Sequence, residues 1–277
     1  MDDQHSVLKI YNLGLISYEA ARALQEKLAR SVWAGHENAI LLLLEHPHTY
    51  TFGRRGAAQN LLWDASELDM RGVEVHWIDR GGDVTYHGPG QLVGYPLFDL
   101  GKVNAEGHLP RVDYVGYIRR LEEVIIRALA ELGLVAGQIP DLTGVWVQPD
   151  VASRCRHCPP AARRQPSKIA SIGVKVDVHG VSRHGFALNV NPDMSYWEGI
   201  IACGLADYPA ISLADLFDDA PSLEQVHTAI INAFQYVFGF SKVVVQELET
   251  SANEVDTSGP DKWQVREGSA DEDHPMH

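Results

Sequence analysis

The sequence predicts a single α+β domain, a mixed and largely antiparallel sheet with helices packed on it. Three observations carry this: three segments with helical apolar spacing, several short β-branched or aromatic runs, and no regular alternation of the two. Without that alternation, parallel βαβ winding is not expected, and helices packed on a mixed or antiparallel sheet are.

The first helix is expected over Ser17 to Trp33, with Tyr18, Ala21, Leu24, Leu28 and Val32 on one side. The second, about Val112 to Leu134, carries Val115, Ile118, Leu121, Ile125, Leu129 and Leu132, with Gly133 near its end. A glycine is the usual residue just past a helix C-terminus. The third runs over Leu223 to Phe238 behind Ser222 as N-cap, with Val226, Ile230, Phe234 and Val237 on one face. All three stripes read as core.

Strands are expected in VEVHWID, QLVGYPLFDL, TGVWVQ and VVVQEL. KIASIGVKVDVHGVSRHGFALNVNP reads as two strands of a hairpin turning at His179-Gly180. One segment lacks any period. PDVASRCRHCPPAARRQPS, Pro149 to Ser167, holds four arginines and four prolines and reads as an inserted, mobile basic surface loop.

At 277 residues, 45% of them hydrophobic and 22% charged, the chain has an ordinary globular balance. The run AILLLL is far shorter than the roughly 20 residues of a membrane helix. The N-terminus is acidic and lacks a signal-peptide order, so a cytoplasmic location is expected. Three cysteines, Cys155, Cys158 and Cys203, do not make a disulfide framework. The net charge is −14, and nine acids against two bases place −7 of it from Val244 onward. The expected organisation is a folded body to about residue 250 and an acidic, disordered tail over 251–277. The remaining body is only mildly acidic, which argues against nucleic acid as a partner.

RGGDVTYHGPGQ, Arg80 to Gln91, concentrates four glycines, an arginine and a histidine. Glycine lets another group approach the backbone closely. The stretch is a tight turn braced by Arg80 and His87, or a surface built to hold something, or both. Cys155 and Cys158 have C-x-x-C spacing, but no second pair completes a zinc set. The prolines after Cys158 do not open a helix, which makes a thioredoxin-like reading poor and a solvated loop the expectation. Cys203 lies in WEGIIACGLADYPAISL, in a loop with plausible polar access. It is a small core residue, or a nucleophile if a base or cation reaches it. Lys168 opens the apolar strand KIASIGVKV; there it points to solvent, or is partly desolvated and able to exchange a proton with a nearby thiol. SIG, Ser171 to Gly173, and HGFALN, His184 to Asn189, put small residues on facing strands and leave room for an extended ligand.

RGGDVTYHGPGQLVGYP, GVWV, KIASIGVKV, HGFALNVN and ACG occur in the order seen in lipoyl(octanoyl) transferases, and the chain resembles that family over about Val7 to Gly239. The resemblance implies the biotin/lipoate protein ligase fold. It implies Cys203 as acyl-thioester nucleophile and Lys168 as the lysine that activates it. It implies an acyl pocket lined by Arg80, Gly81, Gly82, Asp83, Val84, Thr85, Tyr86 and His87, by Ser171, Ile172 and Gly173, and by Gly185, Phe186 and Ala187. Octanoyl would pass from the phosphopantetheine of acyl carrier protein to Cys203. It would then pass to a lysine of lipoyl domains of 2-oxoacid dehydrogenases or the glycine-cleavage H protein. No metal and no cofactor of the protein's own is implied. The inserted loop and the acidic tail depart from the family pattern. In the loop, Arg154, Arg156, Arg163 and Arg164 either guide an acidic donor to the site or merely solubilise the surface.

Two other readings stand beside this one. An ATP-dependent lipoate or biotin ligase on the same fold would need an adenylate loop, which TFGRRGAAQN resembles only faintly. A non-catalytic binder of acyl carrier protein would not need Cys203 and Lys168 together.

Overall fold

The computed structural model describes residues 7–37, 39–101, 113–155, 158–205 and 207–247. Val112 of the second helix, Arg156 and His157 of the basic loop, and the acidic tail lie outside the described residues.

The strands are β1 (Val7–Leu15), β2 (Ala39–Glu45), β3 (Thr49–Phe52), β4 (Glu74–Trp77), β5 (Val84–His87), β6 (Gln91–Phe98), β7 (Gly137–Ile139), β8 (Leu142–Val147), β9 (Ser167–Val176), β10 (Ser182–Asn189) and β11 (Lys242–Glu247). The helices are α1 (Tyr18–Trp33), α2 (Ala65–Met70), α3 (Tyr114–Glu131), α4 (Pro149–Ala152), α5 (Leu213–Leu216) and α6 (Leu223–Phe238). Eight strands form one sheet in the order β11-β1-β2-β6-β10-β9-β8-β7, and a smaller sheet has the order β4-β3-β5.

The large sheet is antiparallel from β2 through β7 and parallel among β11, β1 and β2. The expected mixed sheet is thus observed. One parallel crossover is nevertheless present, because α1 carries the chain from β1 to its parallel neighbour β2. The run of apolar residues in β2 follows from burial on both faces. Ile40, Leu42 and Leu44 pack with Ala21, Ala29 and Val32 of α1, while Leu41 and Leu43 join the core under α3 and α6.

The caps match the local sequence. Ser17 Oγ accepts from Ala20 N at the start of α1, and Ser222 and Gln225 form a capping box at the start of α6. Gly239 ends α6 with φ 70°, a left-handed turn that favours glycine. Val115 departs from the expected stripe. It is exposed, because α3 turns Tyr117, Leu121, Val124, Ile125 and Ala128 onto the sheet instead.

The basic loop is also corrected. It is not a solvated excursion, since it forms α4 and drives Ala152, Cys158 and Ala162 into the main core. No local period of the sequence reveals this burial. Among the described residues, no helix is long and apolar enough to cross a membrane.

Candidate active site

The β9–β10 hairpin turns where the sequence places it, and Gly180 takes φ 84° there. Gly173 and Gly185 face each other across its register, as do Ile172 and Phe186, and Ser171 and Ala187. These residues form one wall of a narrow slot. Arg80, Gly82, Thr85 and His87 supply another wall, and Cys203 opens into the same space.

Strand alternation decides which residues of the Arg80–His87 segment face the slot. Thr85 and His87 line it, whereas Val84 and Tyr86 point the other way and pack with Tyr50, Phe52 and Ile200. Gly81 lies behind the lining, its N–H donating to Val174 O at 2.9 Å. Asp83 does not line the slot either. Its carboxylate accepts from Ala57 N at 3.2 Å, Val84 N at 2.7 Å and the Asn60 side chain. Asn60 O in turn accepts from Ile201 N at 2.8 Å, so Asp83 fixes the segment that carries the cysteine turn.

The glycines of this segment have distinct uses. Gly82 takes φ 88°, a left-handed conformation. At Gly173 an added Cβ would lie 2.9 Å from Gly81 O and 3.0 Å from Arg80 Cδ, so a larger residue would push the two walls apart.

Cys203 sits in a single 3₁₀ turn, Ala202–Gly204, with φ 57°. A non-glycine residue in the left-handed region carries strain of roughly 1–2 kcal/mol, a cost met often at functional sites. Lys168 Nζ lies 3.4 Å from Cys203 Sγ. It also lies 4.7 Å from the centre of the Trp146 ring, against which the buried side chain packs. Backbone bonds clamp Lys168 to the segment beyond Cys203. Lys168 N donates to Pro209 O at 2.9 Å, and Ile211 N donates to Lys168 O at 3.0 Å. The expected solvent-facing alternative for Lys168 is therefore not observed.

Arg80 is buried and braces the slot through Thr51. Its Nε and Nη2 donate to Thr51 Oγ1 at 3.3 and 3.0 Å, and Nη1 donates to Gly81 O at 2.9 Å. His87 bonds to the same Thr51 hydroxyl at 3.2 Å through Nε2 and to Gln91 Oε1 at 2.9 Å through Nδ1. Burial, then neighbouring His46 and Arg80, push the His87 imidazole well below its ordinary range. Brace and lining coexist at both residues.

Sequence reasoning missed Tyr18, Ile78, Tyr95 and His184, all of which line the slot. Tyr18 reads locally as helix core, and its hydroxyl is buried without a hydrogen-bond partner among the described residues. His184 carried a signal only in being the histidine of HGFALN. It takes φ 56°, and its Nε2 lies 3.1 Å from Asp79 Oδ1. Cys155 and Cys158 lie apart from this site, in the loop before β9.

The family model described as Lipoyl protein ligase A/B catalytic domain matches residues 17–235. The chain belongs to that family. Among its members with curated names, an octanoyltransferase of Chloroflexus aurantiacus is 42% identical over 231 residues, 83% of this chain and 94% of that one. An octanoyltransferase of Solibacter usitatus is 43% identical over 228 residues, covering 82% and 91%. With such relatives this lipoyl protein ligase A/B family member is a transferase. The fold agrees. A bipartite lipoate protein ligase from Thermoplasma acidophilum superposes with TM-score 0.62 at 17% identity, covering 88% of this chain and 87% of that one. A lipoate-protein ligase A bound with ATP superposes with TM-score 0.60 at 16% identity, covering 89% and 90%.

Proposed function

We propose that this chain transfers an octanoyl group from octanoyl-acyl carrier protein, through a thioester on Cys203, to a lysine of a lipoyl domain or of the glycine-cleavage H protein. The observation that carries the reading is the 3.4 Å approach of Lys168 Nζ to Cys203 Sγ, with Cys203 opening into a slot walled by the β9–β10 hairpin. Relatives named octanoyltransferase support the acyl group chosen.

Lys168 takes the Cys203 thiol proton, and the thiolate attacks the thioester carbonyl of the donor. The phosphopantetheine thiolate leaves and receives that proton back from Lys168. The acceptor amine then attacks the Cys203 thioester, Cys203 departs as thiolate, and Lys168 takes the proton that the amine sheds. Thioester exchange is nearly isoenergetic and amide formation runs downhill, so neither nucleotide nor metal is required by the energetics. A cysteine held against a lysine favours acyl transfer through a thioester over an ATP-dependent ligation.

Intact-mass measurement after mixing with octanoyl-acyl carrier protein tests the reading. One octanoyl group should be added and then lost on hydroxylamine treatment. Cys203→Ala should gain none and transfer none, whereas Cys155→Ala should behave like the unaltered protein. Near-normal transfer by Cys203→Ala would sink the covalent mechanism.

A further inference from the structure

The basic loop carries a second pair of thiols, remote in sequence from Cys203. Cys155 and Cys158 are both reduced thiols. They share one acceptor, the backbone oxygen of Asp215 in α5, with Cys155 Sγ at 2.6 Å and Cys158 Sγ at 3.4 Å. That shared acceptor keeps the two sulfurs side by side. The backbone N–H of Cys158 also points at Cys155 Sγ, 3.1 Å away, a donor aimed at the sulfur that would carry charge during exchange.

The pair is asymmetric. Cys158 is 4% exposed and sits in the main core, while Cys155 is only partly buried at its edge. Burial, reinforced by the Cys155 sulfur, pushes the Cys158 thiol up to about 12. An accessible thiol beside a buried partner is the arrangement in which one sulfur meets an external reagent and the other resolves the product. Two residues separate them in the sequence, so the closed ring is small.

We infer that Cys155 and Cys158 form a redox-active dithiol, a modification site distinct from Cys203 that low-molecular-weight disulfides convert to an intrachain disulfide. Cys155, as thiolate, attacks one sulfur of the small disulfide, and its proton goes with the first small thiol released. Cys158 sulfur then attacks Cys155 sulfur in the mixed disulfide, releasing the second small thiol with the Cys158 proton. Two protein thiols are oxidised and one small disulfide is reduced to two thiols. Reduced glutathione or dithiothreitol reverses the exchange. Cys203 has neither Cys155 nor Cys158 in its slot, so its product with the same reagent remains a mixed disulfide.

The test uses the full chain, incubated with oxidised glutathione, alkylated with N-ethylmaleimide after unfolding, and read by intact mass and peptide mapping. The expected result is a linked Cys155–Cys158 peptide with no glutathione on either residue. Cys158→Ser should instead accumulate a mixed disulfide on Cys155, and Cys203→Ala should close the loop disulfide at an unchanged rate. Stable glutathione adducts on unaltered Cys155 with Cys158 still alkylated would overturn the inference. So would two thiols that stay fully alkylatable at every glutathione ratio tested, or a metal ion that co-purifies and blocks both. The wild-type measurement needs no variant to fold, and its outcome is independent of whether Cys203 carries acyl groups.

Discussion

Lys168 Nζ lies 3.4 Å from Cys203 Sγ, and the proposed proton transfers need a group there that can both take up and release a proton. Lys168→Met keeps bulk against Trp146 but removes the base, and acyl-enzyme formation should fall by at least ~100-fold. Lys168→Arg should not restore it, since guanidinium holds its proton and has a different shape. Rapid-quench mass measurement checks both, and an unaltered pH profile of iodoacetamide labelling at Cys203 in Lys168→Met would show the two groups to be uncoupled. A second residue-scale prediction concerns acid stability. His46 is buried, bonded to Ile16 O at 2.7 Å and Tyr95 OH at 2.8 Å. Burial lowers its pKa from 6.5 to about 4. Above the unfolded value the ring is neutral in both states and contributes no pH dependence. Below it, the unfolded chain binds a proton that the folded chain refuses, so stability is lost as pH falls toward about 4. The loss amounts to about 3 kcal/mol, taking one pKa unit as about 1.4 kcal/mol. His87 and His184 are shifted in the same direction, again chiefly by burial. His46→Gln is less stable near neutrality, and urea midpoints should show its deficit shrinking as pH falls. A deficit that stays constant from neutrality to about pH 4.5 would contradict the assignment.

At the scale of elements, the β6–β10 pairing shows how a glycine shapes the slot. Gly94 stands directly across from Phe186, and a Cβ there would lie 2.2 Å from the Phe186 ring. Phe186 both lines the slot and packs in the core, so Gly94→Ala must tilt the ring into one or the other. The expected cost is about 1–3 kcal/mol, the usual range for overpacking, with a shift in the preferred acyl length. Denaturant midpoints and a series of acyl thioesters would read the two effects separately. The elements themselves were legible because their periods are local. Ser17, Ser222 and Gly239 mark helix ends by their own chemistry, and the β9–β10 hairpin announces its turn. Cys203 and Lys168 were legible as chemistry by family resemblance, whereas neither spacing nor composition brings positions 35 apart into contact. Tyr18, Thr51 and Tyr95 were not legible, since each looks like ordinary core until the topology sets α1, β3 and β6 around one slot. The 149–167 loop misled for the opposite reason. Its arginines and prolines suggest solvent, while Ala152, Cys158 and Ala162 are held in the core by contacts far away in sequence.

For the whole molecule, the question is how a chain of net charge −14 would meet the acyl donor and acceptor proposed for it. Acyl carrier proteins and lipoyl domains are generally acidic, so long-range attraction has to come from a local cationic region near the slot. The structure offers two candidates. Arg154 and Arg164 are exposed on the basic loop, whereas Arg54 and Arg55 are exposed beside the slot itself. Arg54 N donates to Arg80 O at 2.9 Å and Arg55 N to Gly82 O at 3.0 Å, which ties these two arginines to residues that line it. Exposed charges act over about a Debye length, roughly 8–10 Å, so the pair fixed to the slot wall should dominate. Each exposed pairing is worth up to about 1 kcal/mol, so Arg54→Ser with Arg55→Ser should raise KM for octanoyl-acyl carrier protein roughly threefold to tenfold at low salt. The same variant should show a flatter salt dependence and unaltered acylation by a small octanoyl thioester, because the slot is unaffected. Arg154→Ser with Arg164→Ser serves as the comparison and should have the smaller effect on the carrier-bound donor. Equal KM values for all three proteins at low and high salt would mean that encounter is not steered by either arginine pair.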